Sequence, residues 1–267
     1  MPLRLTALNI YPIKSARGIP LQQSEVDEFG LQYDRRWMVV DETGTFLSQR
    51  SHPRMALIIP SILGDGMLRL NARAMPPMAT PLDPVPAVRT QVRVWNHVCS
   101  AIWVGERPAQ WFTEFLGTPC SLVYMPDDTV RPANPAFAPQ GTRVSFADGY
   151  PFLLISEESL ADLNGRLPRP VLMDRFRPNL VVAGGAPYAE DGWTRIGVGG
   201  LAMRVVKPCP RCVVTTTDQA TSERTPEPLR TLATYRKVNG EVMFGQNVIH
   251  ENSGRVRVGD SVEVIGQ

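Results

Sequence analysis

Short runs in which apolar residues alternate with polar ones make up most of this chain. Such alternation places every second side chain on one face of a sheet and therefore predicts β-strands. Strands are predicted over residues 3–10, 21–26, 36–40, 67–70, 92–94 and 256–265, the last interrupted by a Gly259-Asp260 turn. We therefore expect a mixed, mainly β fold.

Three turn signals join predicted strands into hairpins. They lie at residues 41–44 (Asp-Glu-Thr-Gly), 63–67 (Leu-Gly-Asp-Gly-Met) and 239–240 (Asn-Gly). Asn-Gly is the dipeptide that a two-residue hairpin turn prefers, because both residues must adopt a positive φ.

Helical signals are few and short. Residues 108–116 place four apolar side chains on one stripe after a proline, which predicts a helix. Residues 156–167 begin with Ser156 as a candidate N-cap, and leucines follow at helical spacing. Residues 227–235 open with proline and predict a third helix, while the Val-Val-Thr-Thr-Thr run at 213–217 favours a strand.

Two proline-rich segments are predicted to be loops. Residues 75–87 contain five prolines, and residues 125–143 contain four. Loops of this length are usually functional or act as linkers. Because the second lies near the middle of the chain, we place a domain boundary near residue 120, which divides the protein into 1–120 and 121–267.

Composition narrows the class of protein. The 267 residues include 25 Pro and 21 Gly, which disfavours a bundle of long helices. Hydrophobic residues make up 43% and charged residues 20%, so the chain can bury a core and is not disordered. The net charge of +2 gives no reason to expect nucleic acid or a membrane surface as a partner.

The beginning of the chain carries no basic segment followed by an apolar one, as a signal peptide would. No stretch reaches the length of about 18 apolar residues that a spanning helix needs. We therefore expect a cytoplasmic protein in which the four cysteines are reduced.

The strongest local motif is Lys-Pro-Cys-Pro-Arg-Cys at 207–212. Adjacent positive charge favours the thiolate form of a cysteine. Four interpretations remain open: a structural zinc site, for which a second ligand pair is missing; a thioredoxin-like disulfide; two buried thiols; and one thiolate that binds a soft transition metal. Only three histidines occur, so a site built from several of them is disfavoured.

Three basic segments at predicted strand ends could hold a phosphate. They are Tyr-Pro-Ile-Lys-Ser at 11–15, Asp-Arg-Arg-Trp at 34–37 and Asp-Arg-Phe-Arg-Pro-Asn at 174–179. Lysine and arginine bind phosphate as a point charge and as a planar fork, respectively. No glycine-rich phosphate loop and no G-x-S-x-G motif occur, so side chains rather than a backbone cradle would have to bind the anion.

These motifs, taken in order, resemble those of the MOSC family, and more closely those of its amidoxime-reducing branch. The first half carries YPIKS, GLQYDRRW and FLSQRSHPRMALI. The second half carries DGYPFLLISEESLADLN, FRPNLVV, KPCPRCVVTTTD, EPLRTLATYR, FGQNV and NSGRVRVGDSVEV. The resemblance implies an N-terminal MOSC-associated β-barrel domain over 1–120, a β-barrel MOSC domain over 121–267 and few short helices.

The resemblance also implies a set of site residues for the molybdenum cofactor (Mo-molybdopterin). Cys212 would be the metal ligand and the catalytic residue, with Cys209 as its neighbour. The expected cofactor-binding residues are Lys14, Ser15, Arg35, Asp148, Gly149, Tyr150, Arg177, Asn179, Pro210, Arg211, Gln246 and Asn247. Gly149 and Tyr150 stand where small hydroxyl residues are common in this branch, so backbone groups would replace hydroxyl contacts there.

The function that the resemblance implies is a molybdenum-dependent oxidoreductase for N-reductive detoxification. Its substrates would be small N-hydroxylated compounds: hydroxylamines, amidoximes and N-hydroxylated base analogues. Because no ferredoxin-like cysteine run follows the MOSC segment, electrons would come from a separate ferredoxin-like, flavin reductase or cytochrome b5-like protein. We expect a monomer.

Two alternatives from other functional classes accompany this hypothesis. The chain could be a carrier that holds the molybdenum cofactor, or sulfur as a persulfide on Cys212. Pyridoxal phosphate chemistry is a weaker alternative, since it needs a Schiff-base lysine and no lysine is marked for that role.

Overall fold

The chain folds into nineteen β-strands and three α-helices, as seen in a computed structural model that describes residues 2–85 and 88–266. The predicted mainly β fold with few short helices is therefore confirmed. No helix among the described residues is long and apolar enough to cross a membrane.

The elements of the first half are short. In chain order they are β1 (Arg4–Ile10), β2 (Ile19–Leu21), β3 (Gln23–Asp27), β4 (Gly30–Leu31), β5 (Trp37–Val40), β6 (Ile59–Ile62), β7 (Met67–Asn71), β8 (Met78–Pro81), β9 (Arg89–Val94), β10 (His97–Trp103) and α1 (Glu106–Leu116).

The second half contributes the remaining elements. They are β11 (Ser121–Tyr124), β12 (Phe152–Ser156), α2 (Glu157–Arg166), β13 (Leu180–Ala183), β14 (Arg195–Val198), β15 (Leu201–Pro210), α3 (Leu229–Leu232), β16 (Lys237–Val238), β17 (Glu241–His250), β18 (Gly254–Arg257) and β19 (Val262–Gly266).

The largest sheet joins both halves of the chain. Its strand order is β19-β14-β15-β17-β12-β13-β1-β2, and β16 pairs with β17. A four-stranded sheet has the order β5-β11-β10-β9, and two three-stranded sheets have the orders β18-β3-β4 and β6-β7-β8. The boundary near residue 120 stays a prediction, and β11, just after it, pairs with β5 and β10 of the first half.

Two of the predicted helices form as expected. In α1, Trp111, Phe112 and Phe115 are buried against a cluster that includes Trp37 of β5. The helix ends at Gly117, which adopts φ 71°. In α2, Ser156 is the N-cap and its hydroxyl accepts a hydrogen bond from the Ser159 amide.

The third predicted helix is largely wrong. Only the single turn α3 forms as an α-helix within 227–235, because the amides of Thr234 and Tyr235 then donate to carbonyls three residues earlier and tighten the chain into turns.

The 213–217 run is also not a strand. Val213–Thr216 form a 3-10 helix, in which the hydroxyls of Thr215 and Thr216 donate to carbonyls three residues earlier. The hydroxyls thus stabilise a tight turn that β-branched composition alone does not predict.

Strand predictions need two further corrections. Residues 21–26 divide at Gln22 because β2 pairs with β1 while β3 pairs with β18 and β4 in another sheet.

Residues 75–87 are not wholly a loop, since β8 forms at an edge where its prolines are tolerated. Pro86 and Ala87 lie outside the described residues. The hairpins at 63–67 and 239–240 are confirmed.

Candidate functional site

The topology of the large sheet brings several strand ends to one place. Strand β1 runs antiparallel to β13, so the C-terminal end of β1 meets the N-terminal end of β13. Strand β12 runs parallel to β13 and antiparallel to β17, which in turn pairs with the end of β15. The segments at these ends surround one cleft, which we call the basic cleft.

The basic cleft is lined by residues from both halves of the chain. They are Lys14, Ser15, Arg35, Arg50, Ala147, Asp148, Gly149, Tyr150, Phe152, Leu153, Phe176, Arg177, Asn179, Cys209, Pro210, Arg211, Cys212, Val214 and Asn247. All predicted site residues except Gln246 are among them.

Lys14 and Asp148 form an ion pair between the two halves. The ammonium of Lys14 also donates to the carbonyl of Phe146 at 2.8 Å and lies 5.1 Å from the centroid of the Phe46 ring. Because the Lys14 side chain is buried, its pKa falls to about 8. The cleft therefore presents a lysine that retains its proton up to mildly basic pH.

Asp148 is the acceptor for several donors. Burial raises its pKa, but the charges of Lys14 and Arg50 and the hydrogen bonds from Lys14 and Trp95 outweigh this effect and hold the pKa below its usual value. Arg50 Nη2 lies 3.5 Å from one carboxylate oxygen, and Trp95 Nε1 donates to the other at 3.3 Å. Asp148 is thus a carboxylate that orients the cations on both sides of it.

Arg35 is fixed by polar contacts across the sheet. Its Nη1 donates to Asp34 Oδ2 at 2.5 Å and to Asn179 Oδ1 at 2.9 Å. Asn179 is buried, and its amide also accepts from the backbone of Leu153 and donates to the carbonyl of Asn9. Asn179 therefore acts mainly as a rigid support for Arg35 at the wall of the cleft.

Arg177 is held on the opposite strand end. Its Nη1 donates to the carbonyl of Ala16 at 2.6 Å. Burial lowers the pKa of Arg177 to about 10, which still leaves the guanidinium charged at neutral pH. Arg177 brings a second guanidinium to the same cleft as Arg35.

Three residues that line the cleft have left-handed backbone conformations. Ser15, Arg35 and Arg177 adopt φ 70°, 50° and 58°, which is uncommon for residues other than glycine. Each such residue costs on the order of 1–3 kcal/mol and persists only where the surroundings fix it. Three of the nine non-glycine residues with positive φ in the described part of the chain thus lie at the cleft.

The Cys-x-x-Cys motif lies at the end of β15, and both thiols line the cleft. The cysteines are free, so they form no disulfide. Arg211 Nη1 donates to Cys209 Sγ at 3.1 Å, and its Nη2 donates to the carbonyl of Phe176 at 2.7 Å.

The guanidinium of Arg211 therefore contacts Cys209 and not the adjacent Cys212. The binding of the cofactor by Arg211 stays a prediction. In extended backbone, residues two apart share a face, which places Arg211 beside Cys209. Cys212 itself caps the 3-10 helix that follows.

Gln246 and Asn247 lie on opposite faces of β17. Asn247 lines the cleft and its Nδ2 donates to the carbonyl of Pro208 at 3.3 Å. Gln246 is buried elsewhere, and its Nε2 donates to Asp191 Oδ1 at 2.6 Å. Gln246 does not line the cleft, because successive residues of a strand point to opposite faces, and its contact with a cofactor stays a prediction.

The segment before β12 depends on a residue that the sequence did not single out. Arg131 is buried in the proline-rich loop and donates to the carbonyls of Ser145 and Ala147 at 2.6 and 2.7 Å. It also donates to the carbonyl of Asp148 at 3.2 Å. Arg131 thus fixes the loop that presents Asp148, Gly149 and Tyr150.

Sequence reasoning also missed Arg50 and Trp95, which approach Asp148 from the first half. A single arginine after a hairpin resembles an ordinary surface charge, and only FLSQRSHPRMALI within the resemblance pointed to that segment. Conversely, two arginines of the basic motifs do not line the cleft. Arg36 donates to Met125 and Asp127. Arg175 donates to Thr216 and Asp218.

The donor set of the basic cleft suits an anionic ligand that carries its own metal. Five basic side chains line it, and the buried Nε of Arg211 has no hydrogen-bond partner among the described residues. Two free thiols lie at the same cleft. Across the described part of the chain, no three His, Cys, Asp or Glu residues cluster closely enough to hold a metal ion themselves. The residues therefore fit a phosphate-bearing cofactor whose metal needs one protein thiolate.

A second cavity, of about 510 Å³, lies beside α2. Its walls include Arg17, Glu157 and Asp174, but no cysteine and no cluster of cations. The thiols and the surplus of positive charge are in the basic cleft, so we place the functional site there.

Known proteins resemble this chain over nearly its whole length. It is 36% identical to mitochondrial amidoxime-reducing component 1 from Homo sapiens, covering 97% of this chain and 82% of that protein. It is 33% identical to molybdenum cofactor sulfurase from Solanum lycopersicum, covering 97% of this chain but 35% of the sulfurase. Among solved structures, the YuaD protein from Bacillus subtilis aligns with 98% of this chain at 15% identity and a TM-score of 0.47.

Family profiles divide the chain into two parts. Residues 2–119 match the MOSC N-terminal beta barrel domain, and residues 141–263 match the MOSC domain. The basic cleft is built from residues of both parts. Together with the full-length similarity to amidoxime-reducing components, these matches show that the chain belongs to the MOSC family.

Proposed function

We propose that this protein binds the molybdenum cofactor in the basic cleft and reduces small N-hydroxylated compounds. The observation that carries the proposal is the convergence of five basic side chains and the free thiol of Cys212 on one cleft. The similarity to amidoxime-reducing components and to molybdenum cofactor sulfurase supports the same cofactor and an oxidoreductase activity.

Side chains of the cleft have separable roles in this proposal. Lys14, Ser15, Arg35 and Arg177 would bind the phosphate, because their donors surround the site and no backbone loop replaces them. Asp148, Gly149, Tyr150, Asn179 and Asn247 would contact the polar edge of the pterin, together with the Pro210-Arg211 segment.

When bound, the cofactor would supply the redox chemistry for reductive cleavage of the N–O bond, with electrons from the separate donor protein. Cys212 would supply the thiolate ligand of the metal, which is soft and suited to molybdenum. Arg211 holds Cys209 and the Phe176 carbonyl together, which keeps the neighbouring segment in place. The cations of the cleft would keep the anionic group of the cofactor oriented.

The substrates would be hydroxylamines, amidoximes or N-hydroxylated base analogues. Electrons would come from a separate ferredoxin-like, flavin reductase or cytochrome b5-like protein. A cytoplasmic location and a monomeric state also remain predictions.

The test begins with the purified full chain. Elemental analysis should find molybdenum, and the protein should reduce benzamidoxime or hydroxylaminopurine when a reductant and an electron-transfer protein are supplied. Molybdenum bound without N–O reduction by any donor would contradict the enzyme activity, and absence of molybdenum and pterin would contradict the site assignment.

A carrier function is the second candidate, favoured by the similarity to molybdenum cofactor sulfurase. In that case, Cys212 would carry a persulfide or the cofactor would be passed on without reduction of a substrate. Mass spectrometry of the wild-type protein distinguishes the two: a persulfide on Cys212 with no bound metal indicates a carrier.

A further inference from the structure

Tyr11 lies behind two of the cations that line the basic cleft. The guanidinium carbon of Arg35 is 4.3 Å from the centroid of the Tyr11 ring, and that of Arg177 is 4.2 Å away. The Tyr11 ring is not among the residues that line the cleft and instead forms a wall of the cavity beside α2. One ring therefore contacts both guanidiniums from the side away from a bound ligand.

The ring itself is closely confined. The Tyr11 hydroxyl donates to the carbonyl of Pro178 at 3.1 Å, and its backbone amide donates to Asp34 Oδ1 at 2.8 Å. A methyl group on Gly18 would lie 2.6 Å from Cε1 of the ring, closer than van der Waals contact allows. The position of the ring is thus set by both of its ends and by one edge.

Two guanidiniums that lie close together repel each other, and the charge of Arg35 contributes to the lowered pKa of Arg177. Other contacts must therefore stabilise the pair. Arg35 Nη2 donates to the carbonyl of Arg177 at 3.3 Å, so the two residues are direct neighbours. The face of an aromatic ring attracts a cation, and here one ring attracts both. Both residues also have positive φ, so the arrangement needs fixing by its surroundings.

We propose that Tyr11 is a positioning residue that keeps Arg35 and Arg177 together as a preformed binding site for one phosphate group. It does so without touching the ligand. Two planar guanidiniums that line the same cleft can donate to the several oxygens of a phosphate. The inference rests on the proposed function in one respect, that this phosphate belongs to the bound cofactor.

Four variants of the full chain distinguish the effect of the Tyr11 ring on phosphate binding from the effects of its hydroxyl and of core packing. Tyr11→Phe keeps the ring and removes the hydroxyl, whereas Tyr11→Leu removes the ring. Gly18→Ala leaves Tyr11 and both arginines intact but displaces the ring. Phe115→Leu is the matched control, because it removes a buried ring that contacts Arg54, at 4.7 Å, outside the cleft.

The readout is the affinity of the cofactor-free full chain for inorganic phosphate, measured by titration calorimetry with thermal unfolding as the folding control. We expect Tyr11→Leu to bind phosphate at least about tenfold more weakly, since the cations must be reordered on binding. Gly18→Ala should weaken binding in the same direction. Tyr11→Phe and Phe115→Leu should stay within about twofold of wild type.

Three results would overturn the inference. They are wild-type protein that does not bind phosphate, Tyr11→Leu and Gly18→Ala variants with wild-type affinity, and a Tyr11→Phe variant as weak as Tyr11→Leu. The last would assign the effect to the hydroxyl and not to the ring.

The molybdenum and pterin content of the same proteins as purified tests the proposed function separately. Wild-type protein without cofactor, combined with weak phosphate binding by Tyr11→Leu, would contradict the proposed function and support the role of Tyr11. Full cofactor content and full phosphate affinity in Tyr11→Leu would contradict the role of Tyr11 alone.

Discussion

At the scale of single residues, the two cysteines of the motif have different surroundings. Cys209 accepts a hydrogen bond from Arg211, whereas Cys212 begins the 3-10 helix and lines the cleft. The sequence shows that an arginine lies next to two cysteines. Which of the two thiols accepts its hydrogen bond depends on the direction of each side chain. The same holds for Gln246 and Asn247, which are adjacent in sequence and lie on opposite faces.

We predict that Cys212→Ser loses at least about 100-fold in kcat/KM for benzamidoxime, because a hydroxyl is a poor ligand for a soft metal. Molybdenum analysis and steady-state kinetics on the same preparation provide the measurement. Cys209→Ser is the matched control and should lose less than about tenfold, since it removes only the hydrogen bond from Arg211. Equal losses in both variants would contradict the assignment of Cys212 as the ligand.

The buried Lys14 predicts a pH dependence of anion binding. Burial lowers its pKa from 10.5 to about 8, so the ligand-free folded protein holds fewer protons than the unfolded chain between these values. Lys14 therefore opposes folding below pH 8, and this penalty fades as the pH rises towards 10.5. A bound anion favours the protonated lysine.

Sulfate does not titrate in this range and is therefore a suitable anion for the test. Its affinity should stay constant up to about pH 8 and then fall by up to about tenfold per pH unit. Calorimetric titrations from about pH 6.5 to about pH 9.5 measure this dependence. The Lys14→Met variant should bind more weakly throughout and show no decline near pH 8; a decline that persists in the variant would refute the role of Lys14.

At the scale of elements, apolar periodicity and a capping residue predict the two longer helices. Local hydrogen bonds determine the conformation of the two shorter segments. Residues 108–116 and 156–167 formed helices because their apolar stripes are buried and Ser156 caps the second. Residues 213–217 departed from prediction because threonine hydroxyls bond to carbonyls three residues earlier. Residues 227–235 departed because backbone amides after α3 donate to carbonyls three residues earlier. Such bonds depend on local conformation that periodicity does not encode.

The N-cap of α2 predicts a measurable stability effect. The Ser156 hydroxyl accepts from the Ser159 amide and donates to the buried carboxylate of Glu190 at 3.0 Å. Ser156→Ala should cost about 1 kcal/mol for the cap and about 1–3 kcal/mol for the weakened solvation of Glu190. Chemical denaturation should report a loss of about 2–4 kcal/mol in the free energy of unfolding.

A double-mutant cycle with Glu190→Gln provides the control. Because both residues belong to one hydrogen-bonded network, the double variant should lose less stability than the sum of the two single variants. Additive losses would show that the cap and the carboxylate act independently.

At the scale of the whole molecule, the basic cleft exists only where both halves meet. Strand β1 is paired between β2 and β13 in the large sheet, and Lys14 and Ser15 follow in the segment after its C-terminal end. The ion pair of Lys14 with Asp148 and the contact of Arg35 with Asn179 also join the halves. The cleft is thus a product of the sheet that both halves share.

We predict that the fragment 121–267 alone does not form the anion site. Without β1, the edge of β13 and apolar side chains such as Leu180 and Val182 would be exposed to water. Circular dichroism and sulfate titration should show loss of native structure and of binding. Addition of the fragment 1–120 is the control, and wild-type sulfate affinity in fragment 121–267 alone would contradict the prediction.

The sequence by itself determined the mainly β fold, the two longer helices and the presence of residue types that suit an anion and a soft metal. These follow from local periodicity, turn chemistry and motif identity, which are properties of neighbouring residues. Only the tertiary structure decided that Arg50 and Trp95 reach Asp148, that Arg211 contacts Cys209, and that Tyr11 lies behind two arginines. Those contacts depend on strand pairing and side-chain direction between segments far apart in the chain, and no local pattern encodes that pairing.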